Sequence, residues 1–209
     1  MQKVLAFFGA FNPPTKAHVD LAKLAMDQAH ASAVIFVPSK ASYITDEQQK
    51  SFAFSDAQRL DMLYSVYENN RDWMLFTDHE IKSNTQPRTY DTLCWLRDRN
   101  GFSPILLVGS DQLFAMQSGW KHVPEIAKEF GIICLSRYES QMSELLDSNA
   151  FYRAIAPYVQ VVEAPEAYHW MSSTEARSEM RDIQRKLRVL QRILPDEIYD
   201  HLKEYMHEI

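Results

Sequence analysis

Hydrophobic and polar positions along the chain follow two rhythms. Short, continuous apolar runs occupy 3–8, 34–37, 73–76, 105–108, 132–135 and 158–162. Turn residues or polar stretches bound these runs, as strands buried on both faces require. Between the runs, apolar positions recur at helical spacing. Ala17, Leu21, Leu24, Ala25 and Gln28 mark a first helix. Ser55 caps a second, with Leu60, Leu63, Tyr64 and Tyr67 on one face. Residues 89–99 form a third, stopped by Asn100-Gly101. Helices at 111–116 and 124–130 follow, then helical spacing through Leu145, Leu146 and Phe151. The chain is helical again over 174–207, broken once at Pro195. The stretch 39–54 is polar and aperiodic, a length that marks a loop as functional or mobile.

Strands separated by helices predict an α/β fold: a doubly wound, mostly parallel, Rossmann-like sheet with helices on both faces. The helices of 173–209 are expected to pack on it as a C-terminal extension. With 209 residues and no linker, repeat or low-complexity tract, a single domain over 1–209 is expected. In such a sheet the ligand sits beyond the carboxyl ends of the strands. The loops after Phe8, Val37, Phe76, Val108, Leu135 and Val162 therefore carry the candidate chemistry.

Composition narrows the classes. The chain is 46% hydrophobic and 24% charged, which excludes general disorder. A net charge of −6 makes it a poor general binder of nucleic acid or an anionic membrane, but leaves room for a local phosphate pocket. The basic run from Arg177 to Arg192 is interspersed with Glu179 and Asp182, as on a solvated helix face. Cys94 and Cys134 lie in apolar segments outside any CxxC pair, so both are expected reduced and buried. No stretch approaches a membrane span, and a cytoplasmic location is expected.

Two loops carry chemistry. The first reads Gly9-Ala10-Phe11-Asn12-Pro13-Pro14-Thr15-Lys16-Ala17-His18. It has neither GxGxxG nor GK[ST]. Gly9 allows close backbone approach to a ligand, and the two prolines are expected to hold the loop extended. Thr15 and His18 share one face at a helix start, where backbone N–H groups attract anions. A histidine there can donate to a phosphate and share its developing charge, and a plain N-cap explains Thr15 equally well. The second loop, Met171-Ser172-Ser173-Thr174-Glu175-Ala176-Arg177, opens the terminal helix. Ser172 and Glu175 fit a capping box. Three hydroxyls followed by Arg177 also make a triphosphate grip.

These residues carry a resemblance to the nucleotidyltransferase α/β-phosphodiesterase superfamily, marked by a T/HxGH loop and an ISSTxxR helix start. Within it the chain resembles the bacterial nicotinate mononucleotide adenylyltransferases. Its first loop is similar to GGxFNPPTxGH, and Ser172 to Arg177 is similar to SSTxxR. Thr89-Tyr90-Asp91-Thr92-Leu93 resembles a YTxDTL helix start, Gly109-Ser110-Asp111 with Trp120 a GxD…W segment, and Leu194-Pro195 with Tyr205 an LPxxVxxYI tail. The likeness runs from Val4 to about Tyr205. Ala10 and Ala17 stand where the family has glycine, Met171 and Ala176 where it has isoleucine, and 39–54 lacks the family wording.

The resemblance implies transfer of AMP from ATP to the 5′-phosphate of nicotinate mononucleotide, giving deamido-NAD and pyrophosphate. It implies catalytic roles for His18, Thr15 and Arg177. ATP would be bound by Gly9, Ala10, Phe11, Thr15, His18, Gly109, Asp111, Ser172, Ser173, Thr174 and Arg177. The acceptor would be bound by Asn12, Lys50, Thr89, Trp120 and Arg137, with Trp120 stacking on the pyridine ring. Arg59 is a further phosphate candidate. Trp73 and Trp95 are expected in the core, and Trp170 in the core or against adenine. Mg²⁺ would enter with ATP on phosphate oxygens, with no protein metal cage. Sheets of this kind leave helical faces on which a homo-oligomer can form. Another adenylyl- or cytidylyltransferase of the superfamily, or a nucleotide-binding regulator without catalysis, stays open at this point.

Overall fold

The computed structural model describes residues 1–49, 52–136, 139–180 and 189–205. Six strands form one sheet: β1 (Gln2–Gly9), β2 (Ala33–Pro38), β3 (Met74–Phe76), β4 (Phe102–Gly109), β5 (Ile132–Ser136) and β6 (Val159–Glu163). Their order is β3-β2-β1-β4-β5-β6, and every pairing is parallel, where the sequence predicted mostly parallel. This is a doubly wound sheet whose strand order reverses between β1 and β4.

The period of two along each strand sorts the core into two layers. Leu5, Phe7, Val34, Phe36, Leu107 and Ile133 face one side. There they meet α1 (Lys16–Gln28), α2 (Asp56–Glu68), α9 (Ser173–Met180) and α10 (Asp196–Tyr205) through residues such as Ala22, Leu63, Ala176 and Ile198. Val4, Ala6, Phe8, Ile35, Val108 and Cys134 face the other. That layer is closed by α4 (Thr89–Asn100), α5 (Ser110–Gly119), α6 (Val123–Phe130), α7 (Glu139–Ser148) and α8 (Ala150–Ile155). The C-terminal helices thus share the core of α1 and α2.

Local signals set several boundaries. Gly101 ends α4 at φ 66°, a left-handed conformation glycine adopts without a Cβ clash. Ser55 caps α2 and receives Gln58 in a reciprocal capping box. The faces of two helices differ from expectation. On α1 the alanines Ala17, Ala22 and Ala25 are buried, while Leu21 and Leu24 are half-buried and Gln28 is exposed, because small residues let the helix approach the sheet closely. On α2 the buried residues are Arg59, Met62, Leu63 and Val66, and Tyr64 is exposed. A short helix, α3 (His79–Lys82), and a π-helical turn (Tyr43–Glu47) were not foreseen, since neither is long enough to show a period.

Cys134 is buried and Cys94 half-buried, both free. Burial pushes the Cys134 thiol up to about 12. Trp73 is buried and Trp95 half-buried against His79, with ring centroids 4.0 Å apart. Trp170 departs from the core expectation: it is exposed, and Arg192 lies over its ring at 5.0 Å. Among the described residues no helix is long and apolar enough to cross a membrane.

Candidate active site

A cleft of about 1240 Å³ opens at the carboxyl ends of the strands. Gly9, Ser39, Gly109, Ser136 and Ala164, from the ends of five strands or just beyond, all line it. It also receives Gly9, Ala10, Phe11, Thr15, His18, Gly109, Asp111, Thr89, Trp120, Ser172, Thr174 and Arg177 from the sequence candidates. Lys50 and Arg137 lie outside the described residues, as does the side chain of Ser173.

The first loop does not run extended. Phe11 takes φ 42°, so the chain curls before α1, and the Asn12–Pro13 peptide is cis. A bulky residue in the left-handed region is strained, and packing must hold it there. The Phe11 ring lies 5.4 Å from Phe7, 5.2 Å from Phe36 and 5.3 Å from the His18 imidazole, centroid to centroid. This also explains Gly9. A Cβ there would stand 3.0 Å from the Phe11 ring, so the glycine makes room for its own loop.

Thr15 and His18 form a reciprocal cap on α1. The His18 backbone N–H donates to Thr15 Oγ1 at 3.3 Å, and the Thr15 backbone N–H donates to His18 Nδ1 at 3.0 Å. Histidine occupies the place that Glu or Gln takes in the usual box. Because Nδ1 accepts a backbone proton, the neutral ring carries its own proton on Nε2.

The second helix start is joined to the first. Arg177 Nη1 donates to the Asn12 carbonyl at 2.6 Å, and Nη2 donates to Thr174 Oγ1 at 3.2 Å. Ser172 Oγ accepts the Glu175 backbone N–H at 3.0 Å, capping α9 as expected. The starts of two helices, with the His18 imidazole and the Arg177 guanidinium, therefore line one cleft.

Two candidates serve otherwise. Asn12 was expected to touch substrate, but it is fully buried. Its Oδ1 accepts the Phe54 N–H and its Nδ2 donates to the Phe52 carbonyl, each at 2.9 Å. It pins the incoming end of α2 to the first loop. Arg59, a phosphate candidate by its charge, is also fully buried. It donates to the carbonyls of Ala10 and Ser39 and pairs with Asp56. Burial lowers its pKa, with Asp56 opposing. Arg59 braces the β1 and β2 loops from behind and is not among the residues that line the cleft.

Another part of the cleft lies between α4 and the α5–α6 turn. Thr89 and the half-buried Trp120 line it together. Glu80, which sequence reasoning missed, is buried in its wall. Thr92 Oγ1 donates to Glu80 Oε1 at 2.9 Å and Gln86 Nε2 to Oε2 at 2.5 Å. Gln86 Oε1 in turn accepts the Lys40 backbone N–H at 2.9 Å. Burial pushes the Glu80 carboxyl up to about 7. Nothing in a four-residue helix distinguishes this glutamate from a surface one.

Among the described residues no cluster of three or more His, Cys, Asp or Glu is placed to hold a metal. The oxygen donors that line the cleft, hydroxyls and the Asp111 carboxylate, are of the kind that suits a hard cation.

Residues 6–179 match the cytidylyltransferase-like family model, and the chain belongs to that family. It is 24% identical over 208 residues to a "Probable nicotinate-nucleotide adenylyltransferase" of Listeria innocua, covering 97% of this chain and 95% of the relative. A relative of the same description from Carboxydothermus hydrogenoformans is 28% identical over 205 residues, covering 96% and 94%. The fold matches that of Plasmodium falciparum nicotinic acid mononucleotide adenylyltransferase complexed with NaAD. The TM-score is 0.75 and the identity 16%, over 98% of this chain and 96% of that one.

Proposed function

We infer that this chain is an enzyme of NAD biosynthesis that transfers the adenylyl group of ATP to the 5′-phosphate of nicotinate mononucleotide. The observation that carries the reading is the joining of two helix N-termini, through Arg177 and Asn12, in a cleft that Thr89 and Trp120 also line. The helix starts suit a polyphosphate and the Trp120 face an aromatic ring. Relatives over nearly the whole chain carry the matching description.

In the reaction, a 5′-phosphate oxygen of the acceptor attacks the α-phosphorus of ATP. The bond from that phosphorus to the α–β bridging oxygen breaks, and pyrophosphate leaves with the electron pair. Such chemistry needs alignment and charge neutralisation more than covalent help. We assign the Nε2–H of His18 to the α-phosphate oxygens, where charge grows in the transition state. Thr15 holds the ring in that tautomer. Ser172, Thr174 and Arg177 take the β- and γ-phosphates. Asp111 is placed for a ribose hydroxyl, and Trp120 for the face of the pyridine. Mg²⁺ would enter with ATP and would supply charge neutralisation to its phosphates. Ala10 and Ala17 line the cleft, yet the cap and the tether are both assembled around them, which favours catalysis over mere nucleotide sensing.

Pyrophosphate release from ATP and Mg²⁺ tests this with three acceptors in parallel: nicotinate mononucleotide, nicotinamide mononucleotide and phosphopantetheine. Release is expected with a pyridine nucleotide and not with phosphopantetheine. ATP binding without release to any of them would contradict it.

A further inference from the structure

Arg59 is fully buried on α2, and its guanidinium is spent on backbone of two other loops. Nη1 donates to the Ala10 carbonyl at 2.7 Å, and Nη2 donates to the Ser39 carbonyl at 2.5 Å. Nη2 also pairs with Asp56 Oδ1, which accepts the Ala41 N–H at 2.7 Å. The planar fork thus holds two peptide units, Ala10–Phe11 after β1 and Ser39–Lys40 after β2.

In a trans peptide the carbonyl and the N–H point in opposite directions. A carbonyl tied back to Arg59 therefore aims the N–H of the next residue away from it. The Ser39–Lys40 unit shows where that direction leads. Its N–H donates to Gln86 Oε1 at 2.9 Å, and Gln86 lines the cleft. The Ala10–Phe11 unit has the same anchor, and both of its residues line the cleft. Its N–H has no acceptor among the described residues. Phe11 is 1% exposed, and a buried N–H without a partner is costly.

The Phe11 ring stands 5.3 Å from the His18 imidazole, centroid to centroid, so this donor lies beside the histidine assigned to the α-phosphate. Phe11 also holds φ 42°, which a bulky residue keeps only under restraint. Arg59 supplies part of that restraint. The Ala10–Phe11 peptide cannot turn without breaking a charge-assisted hydrogen bond to the guanidinium.

We propose that Arg59 is a positioning residue for the transfer: by tying back the Ala10 carbonyl, it aims the Phe11 N–H at the α-phosphate oxygens. The proposal rests on the adenylyl-transfer reading. Arg59 itself touches no reacting atom. Its effect falls on the transition state, where charge on those oxygens grows and a fixed donor gains most.

A buried arginine also holds a fold together, and the test separates the two roles. It measures kcat, both KM values and the Kd for ATP in the wild type, Arg59→Met, Arg59→Lys and Leu63→Ala, each well below its melting temperature. Leu63 is buried one turn further along α2, and its truncation weakens the same helix without removing a bond to either carbonyl. Arg59→Met should lower kcat by about 10- to 100-fold and leave the Kd for ATP and both KM values within about threefold. Arg59→Lys keeps the charge but not the fork. It should recover part of the rate and stay about 3- to 10-fold below the wild type. Leu63→Ala should keep kcat within about twofold despite its lower melting temperature. A kcat within about twofold of the wild type in either Arg59 variant would overturn the proposal. So would a loss confined to KM, or an equal loss of kcat in Leu63→Ala. Where Arg59→Met does not fold, Arg59→Lys decides by the same criterion. A wild type that makes dinucleotide from neither pyridine mononucleotide would overturn the adenylyl-transfer reading, and this proposal with it.

Discussion

Thr15 and His18 cap one another at the start of α1, each donating a backbone N–H to the other's side chain. The same two bonds that terminate the helix fix which nitrogen of His18 carries the proton. Structure and catalysis are thereby coupled in one pair, and substitution can separate them.

His18→Gln keeps a side-chain acceptor at the third helical position, so the box with Thr15 can re-form. His18→Ala loses it. His18→Ala is expected to cost about 1 kcal/mol of stability, and His18→Gln less than half of that. Both should lower kcat by about 10²- to 10³-fold with ATP binding retained. Denaturant titration beside steady-state kinetics reads the split. Near-normal turnover in His18→Gln would remove the imidazole from the mechanism.

Glu80 gives a stability signature. Its carboxyl lies at about 7 in the folded protein, raised by burial above its ordinary value of 4.5. The folded state therefore binds that proton more tightly than the unfolded chain. Its contribution is full below about pH 4.5 and is lost as pH rises to about 7, amounting to at most about 3 kcal/mol. Glu80→Gln cannot titrate. The stability difference, wild type minus variant, should fall between pH 5 and pH 8 in urea titrations. A difference that is flat or rises would contradict the placement of this carboxyl.

Arg59 braces the site from behind. Arg59→Ala leaves the Ala10 and Ser39 carbonyls and the Asp56 carboxylate without their partner. Breaking a buried pair typically costs about 3–5 kcal/mol. The Asp56 side chain is 34% exposed, so the lower end is expected. A loss under about 1 kcal/mol in urea unfolding would show that the clamp is not structural.

Trp120 lines the cleft from the α5–α6 turn, and the proposed phosphate grip lines it from the starts of α1 and α9. Trp120→Ala should therefore raise the KM of the pyridine acceptor roughly tenfold, an aromatic stacking loss. The KM for ATP should stay within about twofold. Equal rises in both constants would mean that Trp120 supports the cleft as a whole.

The strands, their parallel winding and both helix starts could be read from the sequence because each is written locally. Apolar runs, hydroxyls before helices and an Asn-Gly stop act over a few neighbours. What escaped reading depends on distant parts of the chain. Asn12 looks like a binding residue until Phe52 and Phe54 close on its amide. Arg59 looks like a solvated charge on α2 until the β1 and β2 loops fold over it. Glu80 sits in a helix too short for any periodicity, and its partners Gln86 and Thr92 meet it only in the folded chain. Gly9 reads in the sequence as room for a ligand, whereas in the fold a Cβ there would meet the Phe11 ring.

The most direct test of the account uses ATP labelled at the α-phosphorus, with Mg²⁺ and nicotinate mononucleotide. The account predicts that the label moves into the dinucleotide, one equivalent for each pyrophosphate released, and that His18→Gln slows this by about 10²-fold or more while still binding ATP. Label that stays in ATP, or leaves only as free AMP with no dinucleotide formed, would contradict it.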